Sequence, residues 1–179
     1  MKIICRLLTL ILVTGVKALP AYTIMEDNID LVRRLWDSPL TLESVTHYDD
    51  FTAEDIQIHG PQGEERQGLE AIKAIDSLFA TAFKEISVEI QDIFGAEDRV
   101  IVYWRWRGAH VGMYKDIPAS DKTITLIGMV MYRFDTTGKI AEVWASWDEL
   151  SLYKQIAKVT IEPEWRTEPE ILTPTKSHD

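Results

Sequence analysis

A chain of 179 residues, 46% hydrophobic and 27% charged, can bury one sizeable core but not two ordinary domains. That balance belongs to a folded protein and excludes wholesale disorder. The net charge of −10 argues against nucleic acid or an anionic membrane surface as partner, since both would repel it.

Lys2 and Arg6 flank the start of an apolar run from Leu7 to Val16, and Val16-Lys17-Ala18 and Leu19-Pro20-Ala21 each end in a small residue. A positive start, a short apolar stretch and a small-residue exit predict a signal peptide over residues 1–21, cleaved after Ala18 or Ala21, and hence a secreted or periplasmic protein. The competing reading is an uncleaved anchor. The run falls short of the roughly 20 residues a spanning helix needs, so no stable membrane insertion is expected after cleavage. Removal takes away Lys2, Arg6 and Lys17 but no acid, leaving 16 basic residues against 29 acidic ones, a net −13. Cys5, the only cysteine, leaves as well, so the exported domain would have neither disulfide nor thiol chemistry. The single asparagine, Asn28, precedes Ile29-Asp30 and forms no glycosylation sequon.

Met25, Ile29, Val32 and Trp36 recur at helical spacing, and Asp37-Ser38-Pro39 stops that first helix. A shorter helix is predicted from Leu42 to about Tyr48. Asp55-Ile56-Gln57-Ile58-His59 alternates with period two, a strand with Ile56 and Ile58 on one face and His59 on the other. Gly60-Pro61-Gln62-Gly63 turns the chain, and Gly68 precedes a third helix with Leu69, Ile72, Asp76, Phe79 and Phe83 along one side. An acid on that stripe is anomalous: Asp76 lies either at its edge or against a cavity. From Ile86 the period becomes two, with strands from Ile86, over Val100–Arg107, over Thr123–Phe134 and over Lys139–Asp148. A short helix follows from Glu149 to Ile156. Helices gathered ahead of an antiparallel meander define an α+β domain over residues 22–158, its sheet curled around a helical layer. Residues 159–179, with Pro163, Pro169 and Pro174 among charges, read as an extended or disordered tail, or as one pinned on the surface by Trp165.

Alternation also sorts the strand faces. Tyr103, Arg105 and Arg107 oppose Val102, Trp104 and Trp106, while Ile140, Glu142, Trp144, Ser146 and Asp148 oppose Ala141, Val143, Ala145 and Trp147. Which face looks inward is left open by the sequence, and curled sheets often carry bulges.

One stretch reads Arg105-Trp106, Gly108-Ala109-His110-Val111-Gly112, Ile117-Pro118, Ile127-Gly128, Tyr132-Arg133-Phe134, Gly138-Lys139-Ile140, Glu142-Val143-Trp144-Ala145-Ser146-Trp147-Asp148 and Gln155. With His59-Gly60-Pro61 before it, this order resembles the SnoaL-like polyketide cyclases of the nuclear transport factor 2-like superfamily, over most of residues 25–157. Met113–Asp116 and Ala119–Asp121 depart from the family's Gly- and Pro-rich loop, a departure that bears on substrate identity. The resemblance implies a cone-shaped curved sheet, a small hydrophobic carbonyl-bearing substrate, acid/base chemistry without metal or cofactor, and a homodimer. It implies Asp148 as the acid/base group, with His59 and His110 polarising a carbonyl or enolate oxygen. Tyr103, Trp104, Arg105, Met129, Met131, Glu142 and Trp144 would bind substrate.

The residues admit plainer roles too. Asp148 stands where an N-cap for the last helix belongs. His110 between glycines reads equally as a loop-shaping residue, and Arg105 as the ion-pair partner of Glu142 or another acid. Arg133 and Lys139 flank a hairpin and are expected in solvent. His59, His110, Glu142 and Asp148 are suitable ligand types, but none has the short histidine spacing of a zinc site, so no metal is expected. Three functions remain: an acid/base enzyme, a non-catalytic binder of an apolar ligand, and a subunit-interaction module using the open sheet face.

Overall fold

The computed structural model describes residues 20–157, with side chains from Ile24 onward. The sequence segments assigned to a signal peptide and to a tail therefore lie outside the described residues, except that Pro20 and Ala21 open the first helix. In chain order the elements are α1 (Pro20–Asp37), α2 (Leu42–Val45), β1 (Thr52–His59), β2 (Glu65–Gln67), α3 (Leu69–Ala82), β3 (Phe83–Ala96), β4 (Arg99–His110), β5 (Thr123–Phe134), β6 (Ile140–Trp147) and α4 (Glu149–Ile156). A 3-10 turn over Tyr48–Asp50 joins α2 to β1, where the sequence suggested that α2 itself continues.

Local chemistry sets these boundaries. Thr41 and Ser44 form a reciprocal capping box that starts α2. Helix α3 stops at Ala82, earlier than the stripe through Phe83 suggested: Phe83 is already extended, at φ −124° and ψ 147°, and leads into β3. In the β5–β6 hairpin, Asp135 Oδ1 accepts from Thr137 N–H, its hydroxyl and Lys139 N–H, and Gly138 takes φ 82°.

The six strands form one curved sheet in the order β2-β1-β6-β5-β4-β3. Pairing is antiparallel except between β1 and β6, which run parallel and set Ile58 beside Val143. Helix α1 packs on β3 and β4, and α3 on β1 and β3, so the helices cover one face. That packing decides the question left open by alternation. Val100, Val102, Trp104 and Trp106 of β4 and Ile124, Leu126 and Val130 of β5 point into the core. Tyr103, Ile127 and Met129 lie on the other face and are exposed.

The strict alternation expected through β6 fails at one point. Arg133 pairs with Glu142 but Phe134 with Ile140, leaving Ala141 as an extra residue. The bulge puts Ile140 in the core together with Val143, whereas a regular strand would put them on opposite faces. Two indoles occupy space that neighbouring glycines leave open. A Cβ at Gly128 would fall on the Trp104 ring and within 2.6 Å of Ser146 O, and one at Gly108 would lie 2.6 Å from Trp106 Cη2.

Candidate active site

Between the helices and the inner face of the sheet lies a cavity of about 590 Å³. Its walls are mainly apolar and aromatic: Trp36 from α1, Phe79 from α3, Ile58 from β1, Trp104 and Trp106 from β4, Leu126 and Val130 from β5, and Trp147 from β6. The rings interlock at set angles, Phe79 standing edge-on to Trp147 at 6.0 Å and Trp36 lying 6.0 Å from Trp104.

Polar groups interrupt these walls in two clusters. The first is Asp76. Four residues C-terminal to Ile72 and three N-terminal to Phe79, it occupies the apolar face of α3 and lines the cavity. Asp76 Oδ2 accepts the Tyr48 hydroxyl at 2.5 Å, while no described residue hydrogen-bonds Oδ1. Burial pushes the Asp76 carboxyl up to about 6, against the opposing pull of the Tyr48 hydrogen bond. Burial and then the Asp76 charge drive the Tyr48 phenol far above its ordinary value, so it remains a donor. Nearby, Trp36 Nε1 donates to the Tyr132 hydroxyl oxygen at 3.1 Å, and burial likewise keeps Tyr132 protonated.

The second cluster is built on the loop between β4 and β5. Lys115, at φ 51°, lies 2.5 Å from Glu149 Oε1 and 2.9 Å from the Tyr153 hydroxyl. Burial works to lower the Lys115 pKa, but Glu149 and Tyr153 outweigh it and hold the ammonium above its ordinary range. Glu149 is itself buried, and its Oε2 has no partner among the described residues.

The residues expected to act do not assemble around this cavity; Trp104 alone among them lines it. Asp148 caps α4, its Oδ1 accepting Ser151 N–H at 2.8 Å, and its side chain faces solvent. His59 lies on the outer face of the sheet, stacked on Trp144 at 4.8 Å, with Nδ1 2.7 Å from Glu65 and Nε2 2.9 Å from Glu142. Those two carboxylates raise its pKa. Burial acts to raise Glu142, but Arg133, at 2.7 Å, and His59 outweigh it and hold the carboxyl below its usual value. Arg133 is thus half-buried and paired, not simply solvated, and the Lys139 ammonium donates to Asp49 O at 2.8 Å. Arg105 takes Glu89 at 3.6 Å as its partner rather than Glu142. Tyr103, Met129, Met131 and Trp144 share the outer face, where Met129, Met131 and Trp144 border a shallow groove beside His59. His110 is fully buried, with Nδ1 3.0 Å from Ser120 Oγ and its ring against Phe83 at 5.1 Å, away from the cavity. Among the described residues no three His, Cys, Asp or Glu side chains converge as a metal site, and no helix is long and apolar enough to cross a membrane.

The stripe anomaly was the signal for Asp76. Nothing marked Tyr48, which reaches Asp76 across 28 residues from a 3-10 turn.

This architecture can be set against known proteins. The model of the SnoaL-like polyketide cyclases matches residues 30–156. The chain belongs to that family. Its fold is the nuclear transport factor 2-like cone that the sequence led one to expect, with a six-stranded curved sheet. A candidate SnoaL-like polyketide cyclase from Jannaschia sp. CCS1 superposes with TM-score 0.71 at 18% identity, covering 82% of this chain and 100% of that one. IdmH from Streptomyces antibioticus, a candidate polyketide cyclase, gives TM-score 0.60 at 20% identity over 72% of this chain and 96% of its own. AclR from Streptomyces galilaeus, a candidate hydroxylase, gives 0.58 at 19% identity over 81% and 85%. No curated protein matches the chain. At such identities the neighbours establish the fold, and activity must be argued from the site.

Proposed function

We propose that the protein is a cofactor-independent acid/base enzyme of cyclase or isomerase type, acting on a small hydrophobic molecule that carries a carbonyl group, with Asp76 as the proton-transfer group. The observation that carries this reading is a carboxyl in an apolar cavity, raised to about 6, with one oxygen held by Tyr48 and the other without a hydrogen-bond partner among the described residues. A base with a pKa near the working pH combines a populated carboxylate with useful proton affinity. In the proposed reaction Asp76 removes the proton from carbon next to the substrate carbonyl, and the electron pair moves onto the carbonyl oxygen. The resulting carbon nucleophile attacks a second carbonyl of the same molecule, and the new alkoxide recovers the proton from Asp76. Isomerisation needs only return of that proton at another carbon. Tyr48 fixes the carboxylate orientation, and the aromatic walls exclude water.

Asp148 has the geometry of a cap and faces solvent, so we assign proton transfer to Asp76 instead. Export through a cleaved signal peptide and dimerisation through the outer sheet face complete the proposal. N-terminal sequencing of secreted protein and sedimentation of the purified chain test them; a sequence starting at Met1 or a monomer would defeat the respective part. For the chemistry, the protein is purified, its co-purifying small molecule identified by mass spectrometry, and turnover compared for the parent, Asp76→Asn and Asp148→Asn. Loss in Asp76→Asn alone is expected. Unchanged turnover in Asp76→Asn sinks the assignment, and retention of an unaltered ligand by every form favours a binding protein.

A further inference from the structure

The cavity contains more hydrogen-bond donors than the protein uses. Tyr132 lies on the inner side of β5 and lines the cavity. Trp36 Nε1 donates to its oxygen at 3.1 Å, yet no described residue accepts the tyrosine's own O–H. Tyr48, the other phenol at this end, has spent its proton on Asp76. The indole N–H groups of Trp104 and Trp147, both on the cavity walls, are also without partners among the described residues. An unanswered buried donor costs free energy that a ligand acceptor returns, so these walls complement an oxygen that only accepts.

We propose that Tyr132, held by Trp36, donates its hydroxyl proton in a hydrogen bond to the substrate's carbonyl oxygen and stabilises the charge that develops there during proton removal. The inference rests on the reading of Asp76 as the base and specifies the substrate as a ketone or ester with an acidic C–H beside the carbonyl. Three features converge on it. Donation from Trp36 into the phenol oxygen polarises the O–H and strengthens it as a donor. Burial, with the Asp76 charge adding to it, keeps the phenol neutral, and Tyr132 and Asp76 line the same cavity. One carbonyl compound can therefore offer its C–H to Asp76 and its oxygen to Tyr132. The proton goes to Asp76 and the electron pair to oxygen, where a fixed donor is worth far more than in water.

The test uses 4-nitrophenolate as a stand-in for the enolate, followed by its absorbance under mildly alkaline conditions, with 4-nitrotoluene as the comparator without the oxygen. In the full-length chain, Tyr132→Phe should weaken 4-nitrophenolate binding roughly tenfold to a hundredfold, the worth of one hydrogen bond to a charged group, and leave 4-nitrotoluene unchanged. Trp36→Phe should give a smaller loss of the same kind. Equal affinity with and without the Tyr132 hydroxyl, equal weakening of both probes, or no phenolate binding by Asp76→Asn, whose neutral side chain stands in for the Asp76 protonated on enolate formation, overturns the proposal. Asp76→Asn, which removes a like charge, should bind the phenolate at least as tightly as the parent. A Tyr132 effect accompanied by full turnover in Asp76→Asn would therefore reject the base and keep the donor.

Discussion

Replacing Asp76 by asparagine tests the site through stability as well as turnover. Asn retains an oxygen for the Tyr48 hydroxyl and nearly the same volume, but it cannot ionise. In the folded protein the Asp76 carboxyl titrates near 6, against an ordinary value of 3.8. The folded state therefore binds the proton more tightly than the unfolded chain. Below about pH 3 both states are protonated and the group costs nothing; the penalty grows as pH rises past the ordinary value of 3.8 and is complete above about 6. A gap of about two pH units corresponds to about 3 kcal/mol. Urea denaturation of parent and Asp76→Asn across that range should show the variant gaining about 3 kcal/mol relative to the parent between about pH 3 and pH 7, through the midpoint and with unchanged slope. The difference between the two proteins cancels every other titrating group. A difference that stays flat with pH would refute the buried, ionising carboxyl and the proposed base with it. Turnover of the co-purified ligand should rise with pH through about 6 in the parent and be lost in the variant.

Asp148→Ala should cost about 1 kcal/mol in thermal or chemical denaturation through loss of the α4 cap, and leave turnover close to that of the parent. Gly128→Ala should destabilise by about 1–3 kcal/mol, because the added methyl meets the Trp104 ring and a strand carbonyl; a melting temperature equal to the parent's would show that the two strands yield. Glu142→Gln should lower the His59 pKa, followed by NMR of its ring protons. Because the two carboxylates raise that pKa, their stabilisation is present below the ordinary histidine value and lost as pH rises through the folded one; an unmoved titration would show that Glu65 alone sets it.

The fold was legible because period and punctuation agree: the alternation from Val100 to Trp106 and from Thr123 to Phe134 survives intact as β4 and β5. Period alone gives two faces without naming the inner one. Packing of α1 and α3 decides that, and it sends Tyr103, Met129 and Trp144 outward while keeping Trp104 inside. The bulge at Ala141 was invisible because an extra residue leaves no mark on composition. Asp148 illustrates how a motif position and a pocket position can separate: the order of residues matches the family, yet the carboxylate turns to Ser151. In the sequence Asp76 stands out only as an acid on an apolar stripe, and that local inconsistency marks a polar point of the cavity lining.

The parallel pairing of β1 with β6 also bears on how the chain reaches its native state. It joins segments far apart in sequence, as the separation of 83 positions from His59 to Glu142 shows, whereas β3 to β6 pair through successive neighbours. Loop-closure entropy favours the meander first and leaves β1 to dock late. Until it does, Ile56 and Ile58 are missing from the cavity wall, so completion of the binding chamber should wait on the docking of β1. Substitutions in the meander should thus change how fast the protein folds, whereas those at the β1–β6 seam should change how long it stays folded.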